Sequence, residues 1–90
     1  MAAAAPLRYW VYELENLARG ERLIFAGRRR LSGVAARRGL ALPSGWRLHD
    51  RLELRLLGLV PQDYLAGFLT RYAAHLRRAK LKVTIAPPPA

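Results

Sequence analysis

Apolar and polar residues alternate near the start of the chain, and this pattern predicts a β-hairpin. Leu7–Leu14 is rich in aromatic residues and alternates with period two, as strands do. A helix over residues 2–18 is the alternative, because apolar residues there also recur at helical spacing. Asn16 and Gly20, which are frequent in turns, follow this segment. Arg22–Ala26 is a second short apolar run, so we expect a strand, a turn and a second strand.

The middle of the chain predicts a short helix, a loop and a further strand. Arg28–Arg38 places its apolar residues on one side of a helix and arginines on the other, and Gly39 is a natural stop. Leu40–Trp46 contains Pro, Ser and Gly in succession and is predicted to be a loop. Arg47–Leu57 alternates leucines with charged residues, which favours a half-buried strand. A helix is the alternative for this segment, because several of its leucines also recur at helical spacing.

The most regular pattern lies near the C-terminus and predicts a long helix. Pro61 suits the first helical position, and Asp63 lies in the first turn, where a negative charge interacts favourably with the helix dipole. The predicted helix Pro61–Lys80 carries an apolar stripe formed by Leu65, Phe68, Leu69, Tyr72 and Leu76. Leu81–Ile85 alternates again and is predicted to be the final strand.

These elements predict one small α+β domain. Their order is β-β-α-β-α-β, with a mixed sheet packed by the long C-terminal helix. Residues 1–6 are expected to form a flexible lead-in, residues 7–86 the domain, and residues 87–90 an extended proline-rich tail.

The charge of the chain indicates an anionic partner. Sixteen basic and six acidic residues give a formal net charge of +10. Nucleic acid is the commonest partner for such an excess. The chain has no cysteine, which excludes a disulfide framework, a thiolate zinc site and a thiol nucleophile. It has neither the about 20 apolar residues of a membrane span nor the features of a secretory signal. We therefore expect a cytoplasmic or virion-associated protein that is neither secreted nor transmembrane.

A cluster of arginines is the main candidate binding site. Arg28, Arg29 and Arg30 are consecutive, and Arg37 and Arg38 follow within the same predicted helix. Guanidinium groups bind phosphates with two parallel hydrogen bonds, so this cluster predicts a surface that contacts a nucleic-acid backbone. A solvated helix start is the alternative, although three adjacent cations there repel each other and the helix dipole. The long helix adds a second candidate stripe, formed by Arg71, His75 and Arg78.

Aromatic residues of the first strand form a second candidate site. Trp10 and Tyr12 share a face with Arg8 if the segment is a strand. Aromatic and basic side chains on one sheet face are typical of surfaces that stack single-stranded bases. The alternative is that these rings fill the core, which a short chain needs.

The residues give little support for catalysis, a metal or a cofactor. None of the common nucleophile, zinc-protease or phosphate-loop motifs occurs. His49 and His75 have no partners at metal-ligand spacing, so no metal or other cofactor is expected. Asp50 and Glu53 are surrounded by arginines, and ion pairs are the simplest interpretation.

The leading hypothesis is a non-enzymatic nucleic-acid-binding protein that works in a ribonucleoprotein or another large assembly. RNA is slightly favoured over DNA, because small arginine-rich chains are typical of ribosomal-type proteins. The alternative is a structural or assembly protein, such as a virion coat or connector or a small accessory subunit, that binds an acidic protein. Its apolar contact patch would consist of Leu57, Leu59, Val60 and Tyr64. Neither hypothesis includes a membrane or a small-molecule substrate.

Overall fold

The computed structural model describes residues 7–30, 42–47 and 50–86, which contain four strands and one helix. The elements are β1 (Arg8–Asn16), β2 (Glu21–Gly27), β3 (Leu52–Pro61), α1 (Gln62–Arg78) and β4 (Lys82–Ile85). The strands form one mixed sheet in the order β3-β1-β2-β4. β1 is antiparallel to both of its neighbours, whereas β4 is parallel to β2. The α+β class with one four-stranded mixed sheet is therefore confirmed.

The hairpin predicted at the start of the chain is present, and its turn is held by Asn16. The fully buried side chain of Asn16 accepts hydrogen bonds from the backbone N–H groups of Ala18 and Arg19, at 3.0 and 3.2 Å. Its amide nitrogen donates to Asp50 at 3.0 Å. Gly20 has a φ of +65°, which glycine adopts without a steric penalty. The strand interpretation of this segment is thus confirmed over the helical one.

The sheet is covered on both faces, and β1 is buried on both. On one face α1 packs over an apolar cluster formed by Tyr9, Val11, Ile24, Val60, Leu65, Leu69, Ala73 and Leu76. The other face carries a second cluster formed by Tyr12, Leu14, Leu23, Phe25, Trp46 and Leu52. A strand that is buried on both faces needs large apolar residues at successive positions. This accounts for the aromatic-rich sequence of β1.

The long C-terminal helix is present and ends in a Schellman motif. Asp63 lies in its first turn, and Arg77 and Arg78 lie in its last. Beyond the helix, the N–H of Lys80 donates to the carbonyl of Arg77, and the N–H of Leu81 donates to that of Leu76. Lys80 adopts a φ of +63°, a conformation that usually requires glycine.

The third strand is confirmed as a strand, but it is displaced toward the C-terminus from the predicted segment Arg47–Leu57. The carboxylate of Asp50 accepts a hydrogen bond from the N–H of Arg47 and closes a turn there, so the strand begins only at Leu52. A β-bulge then inserts Leu57 opposite β1. The bulge changes the face of the residues that follow it, so Val60 lies opposite Tyr9 and is buried under α1, whereas Leu56 keeps the face of Leu52 and Leu54.

The predicted order β-β-α-β-α-β is matched only in part, because the described residues contain one helix and follow the order β-β-β-α-β. Arg28–Arg30, the start of the predicted helix Arg28–Arg38, form a bend and an irregular segment after β2. Three adjacent cations are unfavourable at the positive end of a helix dipole. The remainder of that predicted helix lies outside the described residues, as do the predicted lead-in 1–6 and tail 87–90. Residues 42–47 form an irregular segment with a turn, in agreement with the predicted loop.

Candidate nucleic-acid interface

The candidate residues Trp10 and Arg30 meet at the end of the sheet where β1 begins and β2 and β3 end. Trp10 lies directly opposite Gly27 on one side and Leu59 on the other. Directly opposed residues of antiparallel strands share a face, so the half-buried Trp10 ring and Leu59 are neighbours. Leu59 is 41% exposed, and Gly27 provides no side chain beside the ring. This corner of the sheet therefore presents a partly exposed aromatic ring, which also packs against the second apolar cluster.

One arginine lies over that ring, and others are close to it along the chain. The guanidinium carbon of Arg30 lies 5.5 Å from the centroid of a Trp10 ring, within the range of a cation–π interaction. Arg8, two residues before Trp10 on β1, is on the same face and exposed. Arg28 and Arg29 are also exposed and connect the end of β2 to Arg30. We call this set, which consists of Arg8, Trp10, Arg28, Arg29, Arg30 and Leu59, the Trp10 patch.

The opposite face of the sheet holds a buried ionic network around Glu13. The carboxylate of Glu13 is 1% exposed and accepts hydrogen bonds from Arg22 at 2.8 Å and Arg55 at 3.0 Å. It also accepts a hydrogen bond from the hydroxyl of Tyr72 on α1. The same two arginines extend to Glu15, at 3.4 Å from Arg22 and 2.5 Å from Arg55. The network is fully satisfied, because no buried side-chain polar atom in the described chain lacks a hydrogen-bond partner.

The network raises the pKa of two of its members, Tyr72 and Arg55. Burial, together with the hydrogen bond to Glu13, raises the pKa of Tyr72 to about 12. The hydrogen bond to Glu15 raises the pKa of Arg55 above its ordinary value. On the other face, hydrogen bonds from Trp46 and Arg19 lower the pKa of Glu21. These glutamates are all occupied by internal hydrogen-bond partners.

Most of the acidic residues take part in ion pairs, but few of the basic residues do. In the described part of the chain, salt bridges join only three arginines to four glutamates: Arg19, Arg22 and Arg55 to Glu13, Glu15, Glu21 and Glu53. The sequence has six acidic and sixteen basic residues in total. Arg8, Arg28, Arg29 and Arg30 are exposed and form no salt bridge with any described acidic residue. The positive charge of the Trp10 patch is therefore available to an external anion.

The structure brings together some of the predicted site residues and separates others. Arg28, Arg29, Arg30 and Trp10 lie at one corner of the sheet, as described above. Arg71 and Arg78 are exposed on α1, which covers the opposite face, so they form a separate surface. Arg37 and Arg38 lie outside the described residues.

Tyr12 does not belong to the accessible surface. Its side chain is 1% exposed and stacks on Phe25, with ring centroids 5.1 Å apart. Tyr12 faces the second apolar cluster, where its ring is not accessible to a base. The structure therefore does not support the prediction that Tyr12 stacks bases. Its ring fills the core, as the alternative interpretation expects.

The apolar patch predicted for a protein partner is not continuous. Val60 is buried, and Leu57 packs against the core beneath α1. Leu59 belongs to the Trp10 patch, on the face away from the helix, whereas the exposed Tyr64 lies on the helix itself. The four residues therefore do not form one surface.

Of the ion pairs expected around Asp50 and Glu53, the described residues contain one at Glu53. Glu53 lies 3.7 Å from Arg55, while Asp50 accepts hydrogen bonds from Asn16 and from the backbone of Arg47. The larger network around Glu13 was missed by the sequence reasoning. The signal for it was the alternation of Glu13 and Glu15 on one face of β1, opposite Arg22 in the next strand.

No metal site was found in the described segments, where no three potential ligand side chains of His, Cys, Asp or Glu lie together. His75 is exposed on α1, and His49 lies outside the described residues. The helix of the described chain has 17 residues and lacks the length and apolar character needed to cross a bilayer.

Comparison with known protein families, with curated proteins and with solved structures finds no significant match to this chain.

Proposed function

We propose that this protein binds nucleic acid without enzymatic activity, and that the Trp10 patch is its binding surface. RNA is favoured over DNA, because an accessible aromatic ring beside arginines suits unpaired bases, and sequence-specific RNA recognition mostly targets unpaired bases. The proposed setting is a ribonucleoprotein or another large assembly.

One observation carries this proposal. The glutamates are occupied by Arg19, Arg22 and Arg55, whereas Arg28, Arg29 and Arg30 are consecutive, exposed and without a described acidic partner. Adjacent like charges destabilise a folded chain unless a counter-charge is supplied. Phosphates supply that counter-charge, and guanidinium groups bind them bidentately.

The geometry suggests how the patch engages a single strand. Arg8, Arg28 and Arg29, which are exposed, neutralise the phosphates of successive nucleotides. A base stacks on Trp10 in the position that Arg30 occupies, and the Arg30 guanidinium moves to a neighbouring phosphate. Arg71 and Arg78, on the opposite layer, are not required for this contact.

The test is the salt dependence of binding to a labelled single-stranded RNA oligonucleotide, measured by fluorescence anisotropy. If the four arginines of the Trp10 patch each neutralise one phosphate, log K falls against log salt with a slope of about −3. Replacing Arg28, Arg29 and Arg30 by glutamine should make this slope shallower by about 2 and weaken binding to all sequences alike. A slope near zero for the unaltered protein would contradict the proposal.

A matched control separates a local contact from the effect of net charge. Arg47, Arg51 and Lys82 are exposed and lie at the other end of the sheet, where β1 ends and β3 and β4 begin. Replacing these three by glutamine removes the same charge and should leave most of the affinity intact. If both triple variants lose affinity equally, the Trp10 patch is not the binding surface. If neither loses affinity but the first no longer assembles with an acidic protein, the alternative assembly function is supported.

A further inference from the structure

A cavity lies between the first half of α1 and the sheet. Its volume is about 380 Å³, and its walls include Tyr9 of β1, Ile85 of β4 and the side of α1 that carries Leu65 and Leu69. Cavities that hold small molecules typically measure about 300–1,000 Å³ and are largely apolar. The cavity therefore has the size of a ligand site, and its lining shows which ligand it suits.

The connections of the fold place this cavity beside the end of β4. The N–H of Gln62 donates to the carbonyl of Leu7 at 2.8 Å, so α1 begins over the end of the sheet where β1 begins. β4 enters the sheet from the other end, parallel to β2, and ends at Ile85 opposite Ile24. β2 continues past Ile24 to Gly27. The start of α1 thus extends over a part of the sheet that β4 does not reach.

The lining of the cavity favours a neutral, apolar ligand. Leu65 and Leu69 are each 5% exposed, and Ala66 and Ile85 add further hydrocarbon surface. None of the described residues that line the cavity is charged. An ion that enters an apolar site without a partner loses its hydration at a large cost in free energy. An uncharged molecule with a large apolar surface does not meet this cost.

Tyr9 adds one hydrogen-bonding group to the lining. It is 7% exposed, and its hydroxyl forms no hydrogen bond with any residue of the described segments. Buried tyrosine hydroxyls usually have a partner, as Tyr72 has in Glu13. No fully buried polar side-chain atom of the described chain lacks a partner, so the Tyr9 hydroxyl reaches open space. Because the cavity is the space that Tyr9 lines, an unpartnered hydroxyl is directed into it.

We infer that the cavity binds a neutral, mostly apolar small molecule with one polar oxygen, a hydroxyl or a carbonyl, that hydrogen-bonds with the hydroxyl of Tyr9. An apolar cavity of about 150 Å³ holds benzene. A volume of about 380 Å³ therefore accommodates two fused rings or a chain of similar size. Gln62 and Thr70 also line the cavity and are exposed, so they mark its opening to solvent.

The cavity is separate from the Trp10 patch. Tyr9 and Trp10 are successive residues of β1, so their side chains point to opposite faces of the sheet. Tyr9 belongs to the apolar cluster beneath α1, whereas Trp10 packs against the second cluster. The inference therefore does not depend on nucleic-acid binding.

The first test is a titration of the nuclease-treated, isotope-labelled full chain with 2-naphthol, followed by two-dimensional NMR. This probe has two fused rings and one hydroxyl, and it is uncharged at neutral pH. The amide resonances of Leu65, Leu69 and Ile85 should shift in a saturable manner. 2-Naphthoate, which carries the same rings and a negative charge, should bind at these resonances at least tenfold more weakly. No saturable shift with 2-naphthol, or equally tight binding of 2-naphthoate there, would overturn the inference.

The second test fills the cavity. Ala66 lines the cavity but is exposed, so Ala66→Phe takes up the volume of the ligand without removing a buried side chain. The affinity for 2-naphthol should fall at least tenfold. The matched control is Ala79→Phe, at an exposed position at the other end of α1 and outside the lining, which should leave the affinity unchanged. Unchanged affinity in Ala66→Phe would contradict binding in this cavity.

The third test concerns the hydrogen bond. Tyr9→Phe keeps the ring and loses no hydrogen bond within the described chain, and a denaturation curve checks that it is folded. Its affinity for 2-naphthol should fall about fivefold, the net effect of one hydrogen bond. Naphthalene has no hydroxyl and should bind to both proteins equally. An equal change for the two ligands would refute the role of the Tyr9 hydroxyl.

Discussion

The carboxylate of Glu13 accepts a hydrogen bond from the hydroxyl of Tyr72 and so links the central strand β1 to helix α1. This contact spans 59 residues of sequence and lies at the centre of a network that also contains Arg22 and Arg55. It joins the two layers of the fold through a polar group that is almost completely buried. Because this network occupies glutamates, the arginines of the Trp10 patch have no acidic partner in the described part of the chain.

Neutralising Glu13 should strongly destabilise the fold. Glu13→Gln removes the charge that compensates Arg22 and Arg55, and breaking one side of a buried ion pair costs about 3 kcal/mol or more. Urea denaturation of the purified variant measures this change. The control is Glu53→Gln, because Glu53 is exposed and lies 3.7 Å from Arg55, a surface contact worth less than about 1 kcal/mol. Similar losses in the two variants would show that the buried network does not stabilise the fold.

Tyr72 should make the protein lose stability in strongly alkaline solution. Its pKa is raised from 10.0 to about 12, so above pH 10 the unfolded chain releases this proton while the folded chain keeps it. The unfolded state then binds fewer protons, and the free energy of unfolding falls as pH rises from about 10 to about 12. Tyr72→Phe lacks this contribution, so the stability difference between the two proteins should shrink across that window.

The measurement for Tyr72 is urea unfolding at several alkaline pH values, combined with the difference in tyrosinate absorbance between the two proteins. The phenylalanine variant retains a ring that can stack on Phe68, whose centroid lies 6.1 Å from that of Tyr72. Packing is therefore preserved in the comparison. Ionisation of Tyr72 at its ordinary pKa would contradict the burial and hydrogen bonding described here.

Much of the fold could be predicted because its elements have local signals. The hairpin follows from the apolar run of β1 and the turn residues Asn16 and Gly20. The helix follows from its 3.6-residue periodicity and from Asp63 in the first turn. The limits of β3 could not be predicted in the same way, because a β-bulge at Leu57 depends on pairing with β1 and has no signal of its own.

The candidate site could be predicted only in part, because the burial of its aromatic residues depends on tertiary packing. The run Arg28–Arg30 is visible in sequence, and its exposure agrees with the interpretation as a binding surface. Trp10 and Tyr12 are both aromatic and lie on the same face of β1, so the sequence does not show which of them is exposed. Their different burial arises from the sheet as a whole, since Phe25 and the segment with Trp46 cover Tyr12. Such coverage is a property of tertiary packing and cannot be derived from strand periodicity.

Replacing Lys80 by glycine should stabilise the protein. Lys80 occupies the left-handed position of the Schellman motif with a φ of +63°, which costs an L-residue other than glycine about 1 kcal/mol. Lys80→Gly removes this strain and should raise the free energy of unfolding by up to about 1 kcal/mol, measured by urea denaturation. The matched control is Ala79→Gly. Ala79 has a φ of −82°, so glycine there only adds flexibility to the unfolded chain and should not stabilise the protein.

Replacing Trp10 by leucine should separate base stacking from phosphate contact. Leucine keeps an apolar side chain against the sheet but offers no ring, and loss of an aromatic stacking partner costs about 1–3 kcal/mol per base. Affinity for a single-stranded RNA oligonucleotide should therefore fall about tenfold, while the slope of log K against log salt stays the same because no phosphate contact is lost. Affinity for a duplex of the same length should change little, since its bases are not free to stack on a side chain. Anisotropy titrations with both ligands measure these changes, and a denaturation curve confirms that the variant is folded. An equal loss for single strand and duplex would show that Trp10 supports the arginines and does not contact a base.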